Sequence, residues 1–193
     1  MVEANLGEVD LERSLWRLAY EAHAEGVGEH GPAGAAGIGE LKLLKALAAL
    51  KDNDQGWAQR VIEAIKLRTG LLLERTPGVF GFPHRTFQEY LAGAYLASEG
   101  DFARWAASLL GEGTRWREVI LLAVGRLVYV SGDLVQPLAL AAELCPADGP
   151  GDSELGWRKV WLAGEVLNER SVRSGSRATR WDVSSANACR PAS

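Results

Sequence analysis

Residues 79–97, VFGFPHRTFQEYLAGAYLA, contain the most informative pattern in this chain. Phe80 and Phe82 alternate with Gly81 and Pro83, which is the period-2 pattern of a strand with one buried face. Pro83 has no amide hydrogen to give to a neighbouring strand, so the strand must lie at a sheet edge or end there. The pattern therefore predicts a short strand over residues 79–82.

A helix is predicted directly after this strand, over residues 87–98. Thr86 and Glu89 form the T-x-x-E pattern of a capping box, in which the threonine oxygen accepts from the amide of Glu89 and the carboxylate reaches back to the amide of Thr86. His84 then lies where the strand meets the helix N-terminus, a place where unpaired amides and the helix dipole favour an anion. The alternative role of His84 is structural, as a histidine that bonds a nearby carbonyl.

Three helices and a second strand are predicted upstream. Apolar spacing favours helices from Asp10 to about Gly26, over residues 40–51, and from a cap at Asp54 to Gly70, with a glycine-rich loop over residues 25–39. Residues 71–75 predict a strand, and Pro77-Gly78 suits the centre of a type II turn. Three helices followed by a hairpin is the order of a winged helix; the alternative is a small helical domain with an incidental hairpin.

The chain is predicted to be helical again after residue 98. The segment WREVIL at residues 116–121 is echoed by WRKVWL at 157–162, an offset of 41 that suits a HEAT or armadillo array, although chance similarity between helices stays an alternative. From residue 170 the sequence is rich in serine, alanine and arginine and loses its apolar periodicity, which predicts a disordered basic tail.

Residues 80–97 also carry a resemblance to a known family. They resemble the F-x-F-x-H-x-T-F-Q-E-Y-L-A-A segment of NACHT-type NTPases, members of the STAND ATPases that include animal NOD-like receptors and bacterial antiphage proteins. In that family the segment closes the winged-helix domain that follows the nucleotide-binding domain. LWRLAYEAH at residues 15–23 and RTGLLLER at 68–75 are similar to an early helix and to the wing entry of that domain.

The resemblance and the patterns together imply a mainly α fold. We expect a winged-helix-like domain of NACHT type over residues 1–100, built from three helices, a β-hairpin wing and a following helix. It should lead into a helical region over residues 101–169 that begins a HEAT-like repeat region, with the disordered basic tail over residues 170–193.

The resemblance implies a role for His84. In NACHT-like proteins the matching histidine contacts the β-phosphate of bound ADP and holds the closed, inactive state, so His84 becomes a candidate ADP contact and not a catalyst. ATP or ADP is expected only in the parent protein, meaning this chain joined to a NACHT domain, and no cofactor is expected for the chain alone. The expected partner is that upstream nucleotide-binding domain, and the parent is expected to form homo-oligomers.

Catalytic and metal sites are not expected. A P-loop needs G-x-x-x-x-G-K-[ST], and the sequence has no Gly-Lys pair and no apolar strand that ends in paired acids, so it lacks Walker A and Walker B motifs and should not be an enzyme. His23 and His30 have no cysteine or carboxylate partners at ligand spacing.

Bulk composition narrows the functional class further. A net charge of −4 and a pI of about 5.5 argue against nucleic acid as a partner. The first residues are acidic and have no apolar stretch, so no signal peptide is expected, and the longest apolar run is too short to cross a membrane. Cys145 and Cys189 are expected to be reduced thiols, and a disulfide is the alternative. A soluble cytoplasmic protein is the prediction.

The leading hypothesis is a regulatory module of a NACHT-type NTPase that helps to hold ADP and relays sensing to oligomerisation, in signalling or antiviral defence. One alternative is a DNA-binding winged-helix regulator, for which residues 54–85 carry a net charge of only +2, from five cations and three acids. The other alternative is a protein-interaction module without nucleotide contact.

Overall fold

The computed structural model describes residues 8–26, 37–68, 70–145 and 149–173. The chain divides into two compact units, residues 1–95 and 96–193. The elements of the first are α1 (Glu8–Glu25), β1 (Ile38–Gly39), α2 (Glu40–Ala48), α3 (Gln55–Arg68), β2 (Leu73–Thr76), β3 (Val79–Gly81) and α4 (Arg85–Ala97), whose last turn crosses the boundary. Those of the second are α5 (Phe102–Leu109), a 3-10 turn (Leu110–Glu112), α6 (Trp116–Gly125), a π-helical segment (Arg126–Ser131), α7 (Val135–Leu144) and α8 (Glu154–Arg173).

The first unit has the predicted winged-helix order. The helices α1 to α3 bury Leu18, Leu43, Leu47, Trp57 and Ile62 at 2% exposure or less. Asp54 caps α3 as predicted, because its Oδ1 accepts from the amide of Trp57 at 2.8 Å. The mainly helical class and the winged-helix domain followed by helices are therefore confirmed.

The sheet has three antiparallel strands in the order β1-β3-β2, so β3 is central and ends before Pro83. Ile38 pairs with Phe80 and Gly39 with Val79. The predicted loop over residues 25–39 was therefore wrong at its end, because two of its residues form a strand. A two-residue strand has no periodicity of its own, and pairing with a partner far along the chain forms it.

A charged cluster links α1 to α2. Lys42 Nζ lies 3.0 Å from Glu21 Oε2 and 2.7 Å from Glu25 Oε1, and Arg17 Nε lies 2.8 Å from Glu21 Oε1. Burial opposes ionisation of Glu21, but its hydrogen bonds from Arg17 and Lys42 prevail and hold the pKa of this carboxyl below its ordinary value. The cluster favours the folded arrangement while the carboxylates are ionised.

The second unit is a set of packed helices, with α7 against both α5 and α8 and with α6 against α8. Trp116 is fully buried in α6, whereas Trp157, its counterpart in the predicted repeat, is 49% exposed on α8. Ile120 is likewise buried while Trp161 is 61% exposed. Positions related by the repeat thus differ in burial, and the HEAT-like array stays a prediction without support from this pattern.

The C-terminal expectations are only partly open to comparison. Helix α8 continues through Arg173, into the stretch expected to be a disordered tail, and residues 174–193 lie outside the described residues. Cys145 is disulfide-bonded, so the expectation of a reduced thiol was wrong there. Within the four described ranges, no helix combines the length and apolar character that a membrane span needs. The domain boundaries given by the sequence stay predictions.

Candidate functional site

His84 lies at the start of α4 with its side chain exposed to solvent. Its carbonyl oxygen accepts from the amide of Gln88 at 3.2 Å, the first bond of the helix, which makes His84 the N-cap residue. The amides of residues 85–87 therefore have no carbonyl one turn earlier within α4 to bind. An imidazole and the positive end of a helix thus face solvent together, a combination that suits an anionic group.

The predicted capping box is wrong. Helix α4 begins at Arg85, so Thr86 lies within the first turn instead of at the cap. The Glu89 carboxylate does not reach back to Thr86; its Oε1 accepts from Arg85 Nε at 2.8 Å. The carboxylate is only 9% exposed while Arg85 is 59% exposed, so this pair lies at the edge of the core.

Arg75, on β2, ties the segment ahead of His84 to the wing. Its Nη2 donates to the carbonyl oxygens of Phe82 and Pro83 at 2.9 and 3.1 Å. These two carbonyls belong to the last two residues before His84. Nothing in the sequence predicts this contact, because an arginine in a short exposed strand indicates only a solvated position.

Aromatic packing anchors the same junction from the core side. Phe82 is 2% exposed, and its ring meets that of Phe87 edge-on, with centroids 6.1 Å apart. Phe80 is fully buried beside Lys66, whose Nζ lies 4.7 Å from the ring centroid. The residues before and after His84 are thus packed against each other through Phe82 and Phe87, and β3 contacts α3 through Phe80.

The hairpin turn is fixed by Glu74. Its Oε1 accepts from the amide of Gly78 at 2.9 Å, and its Oε2 lies 3.3 Å from Lys66 Nζ. These two contacts, the amide first, hold the pKa of Glu74 below its ordinary value. Gly78 has φ 74°, the left-handed value that the second central residue of the predicted type II turn needs.

The charge distribution does not favour a DNA interface. The five cations in residues 54–85 are Arg60, Lys66, Arg68, Arg75 and Arg85. Three of them bond within the domain, to carboxylates of β2 and α4 and to the carbonyls ahead of His84. Arg60 is exposed on α3, and the side chain of Arg68 lies outside the described residues. Cations that already bind groups within the domain can neutralise few phosphates, so they would release few counterions from a nucleic acid.

The described part of the chain has no cluster of side chains that could bind a metal ion. No group of three or more His, Cys, Asp or Glu side chains there could hold an ion. His23 is 8% exposed within the first unit, and His30 lies outside the described residues.

Comparison with known proteins identifies the first unit. Residues 7–96 match the winged helix-turn-helix domain C-terminal to NACHT, a range that includes the wing and His84. No curated protein and no solved structure matches the chain. This type of domain is not itself catalytic, and its place after NACHT implies an upstream nucleotide-binding domain. Residues 7–96 are therefore a winged helix-turn-helix domain of the NACHT-associated family.

Proposed function

We propose that this chain is a regulatory module of a NACHT-type NTPase, in which His84 contacts the phosphates of ADP bound to the upstream domain. Its winged helix helps to hold the ADP-bound, inactive state and relays sensing to oligomerisation. The parent protein acts in the cytoplasm, in signalling or antiviral defence. The nucleotide belongs to the parent, and the chain by itself neither binds it firmly nor hydrolyses it.

One observation carries this proposal: an exposed histidine caps the helix that closes a NACHT-associated domain. An imidazole can donate to a phosphate oxygen, and the first-turn amides of α4 add donors and a favourable dipole. Arg75 and the Phe82–Phe87 contact hold the backbone on both sides of His84, so the His84 side chain is attached to a fixed backbone. A preformed donor loses little entropy when an anion arrives.

The test is the rate at which a fluorescent ADP analogue leaves the parent protein. His84→Ala is expected to speed dissociation about tenfold, the effect of losing one hydrogen bond to a charged partner. Thr86→Ala is the matched control, because Thr86 is an exposed residue of the same first turn, and its rate should stay within about twofold of wild type. Equal rates for His84→Ala and wild type would reject the nucleotide contact and favour a protein-interaction module.

A second measurement uses the chain alone. The 193-residue protein should show no ATP hydrolysis above buffer and no saturable ADP binding by calorimetry. Hydrolysis that survives repurification and tracks the chain through gel filtration would contradict a purely regulatory role.

A further inference from the structure

The wing carries an irregularity at Arg75. Leu73 pairs with Gly81 and Glu74 with Phe80, but the next pair along is Thr76 with Val79. Arg75 is therefore the extra residue of a β-bulge and has no partner opposite it. Bulges bend a strand and redirect a side chain, and they occur frequently next to functional sites.

The redirected side chain follows a path that the opposite strand leaves open. A Cβ placed on Gly81 would lie 3.4 Å from Arg75 Cγ and 3.5 Å from Arg75 Nε, so the arginine stem rests directly against this glycine. The stem passes Gly81, and Nη2 reaches the carbonyl oxygens of the next two residues, Phe82 and Pro83. A branched residue in place of Gly81 would occupy that path.

These two bonds restrict the backbone that leads to His84. The proline ring already fixes φ of Pro83. The position of each carbonyl oxygen is set by ψ of its own residue, so holding both oxygens limits ψ of Phe82 and of Pro83. Those are the last soft torsions before the peptide unit of His84.

We infer that Arg75 is a positioning residue that sets the direction in which the His84 imidazole leaves the start of α4. This inference deepens the proposed function and rests on it for its biological meaning. Arg75 itself need not touch the nucleotide, since its Nη2 is used by two carbonyls. Arg85, the other arginine at the junction, is bound to Glu89 and holds neither carbonyl.

The geometric test uses the 193-residue chain, with Arg75→Gln as the variant and Glu74→Gln as the matched control on the same strand. Amide chemical shifts and ¹H–¹⁵N residual dipolar couplings of residues 84–86 report the orientation of these peptide units. Arg75→Gln should change the couplings of His84 and Arg85. Glu74→Gln should change the turn around Gly78 and the contact with Lys66, the two groups that Glu74 binds, and should leave the couplings of His84 and Arg85 unchanged. Unchanged couplings in Arg75→Gln would overturn the inference.

A second variant, Arg75→Lys, keeps the test decisive if Arg75→Gln does not fold. Arg75→Lys keeps the stem on Gly81 and the positive charge, but its Nζ lies one bond nearer to the backbone than Nη2 and falls short of the two carbonyls. If Arg75→Gln does not fold, the same couplings must change between wild type and Arg75→Lys, and unchanged values there would equally overturn the inference.

The functional test is a double-mutant cycle on ADP dissociation from the parent protein. Arg75→Gln should speed dissociation by up to about tenfold, and the double variant with His84→Ala should be no faster than His84→Ala alone. Fully multiplicative effects would mean that Arg75 acts independently of His84 and would overturn the inference. If His84→Ala alone has no effect, the proposed function fails, while the dipolar couplings still decide whether Arg75 positions the junction.

Discussion

Replacement of Arg85 by alanine should leave the Glu89 carboxylate at the edge of the core without its cation. The two side chains bond at 2.8 Å, with Glu89 9% exposed and Arg85 59% exposed. Breaking a fully buried pair costs about 3–5 kcal/mol, whereas an exposed pair contributes about 0.2–1 kcal/mol. One partner here is buried and the other is solvated. We therefore expect a loss of about 2 kcal/mol, near the lower end for hydrogen bonds to charged groups.

The assay must report the first unit separately from the second. The indole Nε1–H resonance of Trp57, which is 2% exposed, follows unfolding of residues 8–95 in a urea titration. A loss of about 2 kcal/mol should lower the midpoint by about 1–2 M. Added helix propensity from alanine at the first helical position offsets only a few tenths of a kcal/mol.

Glu89→Gln supplies the control that tests the reasoning. If the cost comes from an isolated carboxylate, the Arg85→Ala/Glu89→Gln double variant should be about 1 kcal/mol more stable than Arg85→Ala, because the buried charge is gone. A double variant whose loss equals the sum of the two single losses would show that the pair is not coupled. That result would refute the argument.

Three further predictions concern stability. Lys42→Met should lower the free energy of unfolding in urea by about 1 kcal/mol, because Lys42 contacts two carboxylates of α1. The control Lys45→Met, on the exposed side of α2, should lower it by less than about 0.5 kcal/mol, and equal losses would contradict this prediction. Burial raises the pKa of Glu21, but its cationic partners lower it more, so the pKa is lower in the folded protein than in the unfolded chain. The contribution of Glu21 to folding stability is therefore complete above pH 4.5 and is lost as the pH falls through the pKa of the folded state. Glu21→Gln should flatten that part of the stability profile, and an unchanged acid slope would exclude this carboxyl as its source. Trp116→Phe should lower the stability of the second unit by about 1–2 kcal/mol, because it removes buried volume and the hydrogen bond from Nε1 to Glu112 at 3.2 Å. An unchanged unfolding temperature of the second unit in calorimetry would argue against this packing of Trp116.

Local patterns in the sequence were sufficient for much of the first unit. The cap at Asp54, the turn at Pro77-Gly78 and the strand at Phe80 each depend on residues within one turn or one hairpin. Their energetics are local, so a short stretch of sequence contains all the terms. His84 could be located at the strand–helix junction for the same reason.

The way in which the junction is held becomes visible only in the folded domain. The start of α4 at Arg85 and the partner of Glu89 depend on which of several nearby groups forms the hydrogen bond, and the pairing of Ile38 with Phe80 joins residues far apart in the chain. The T-x-x-E pattern predicted a box, but Arg85 offered Glu89 a charged donor and His84 offered the helix its first carbonyl. The sequence by itself determined the order of the elements and the position of the histidine. The hydrogen bonds of Arg75 and the strand register determined its surroundings, because both depend on how the strands pair in the folded domain.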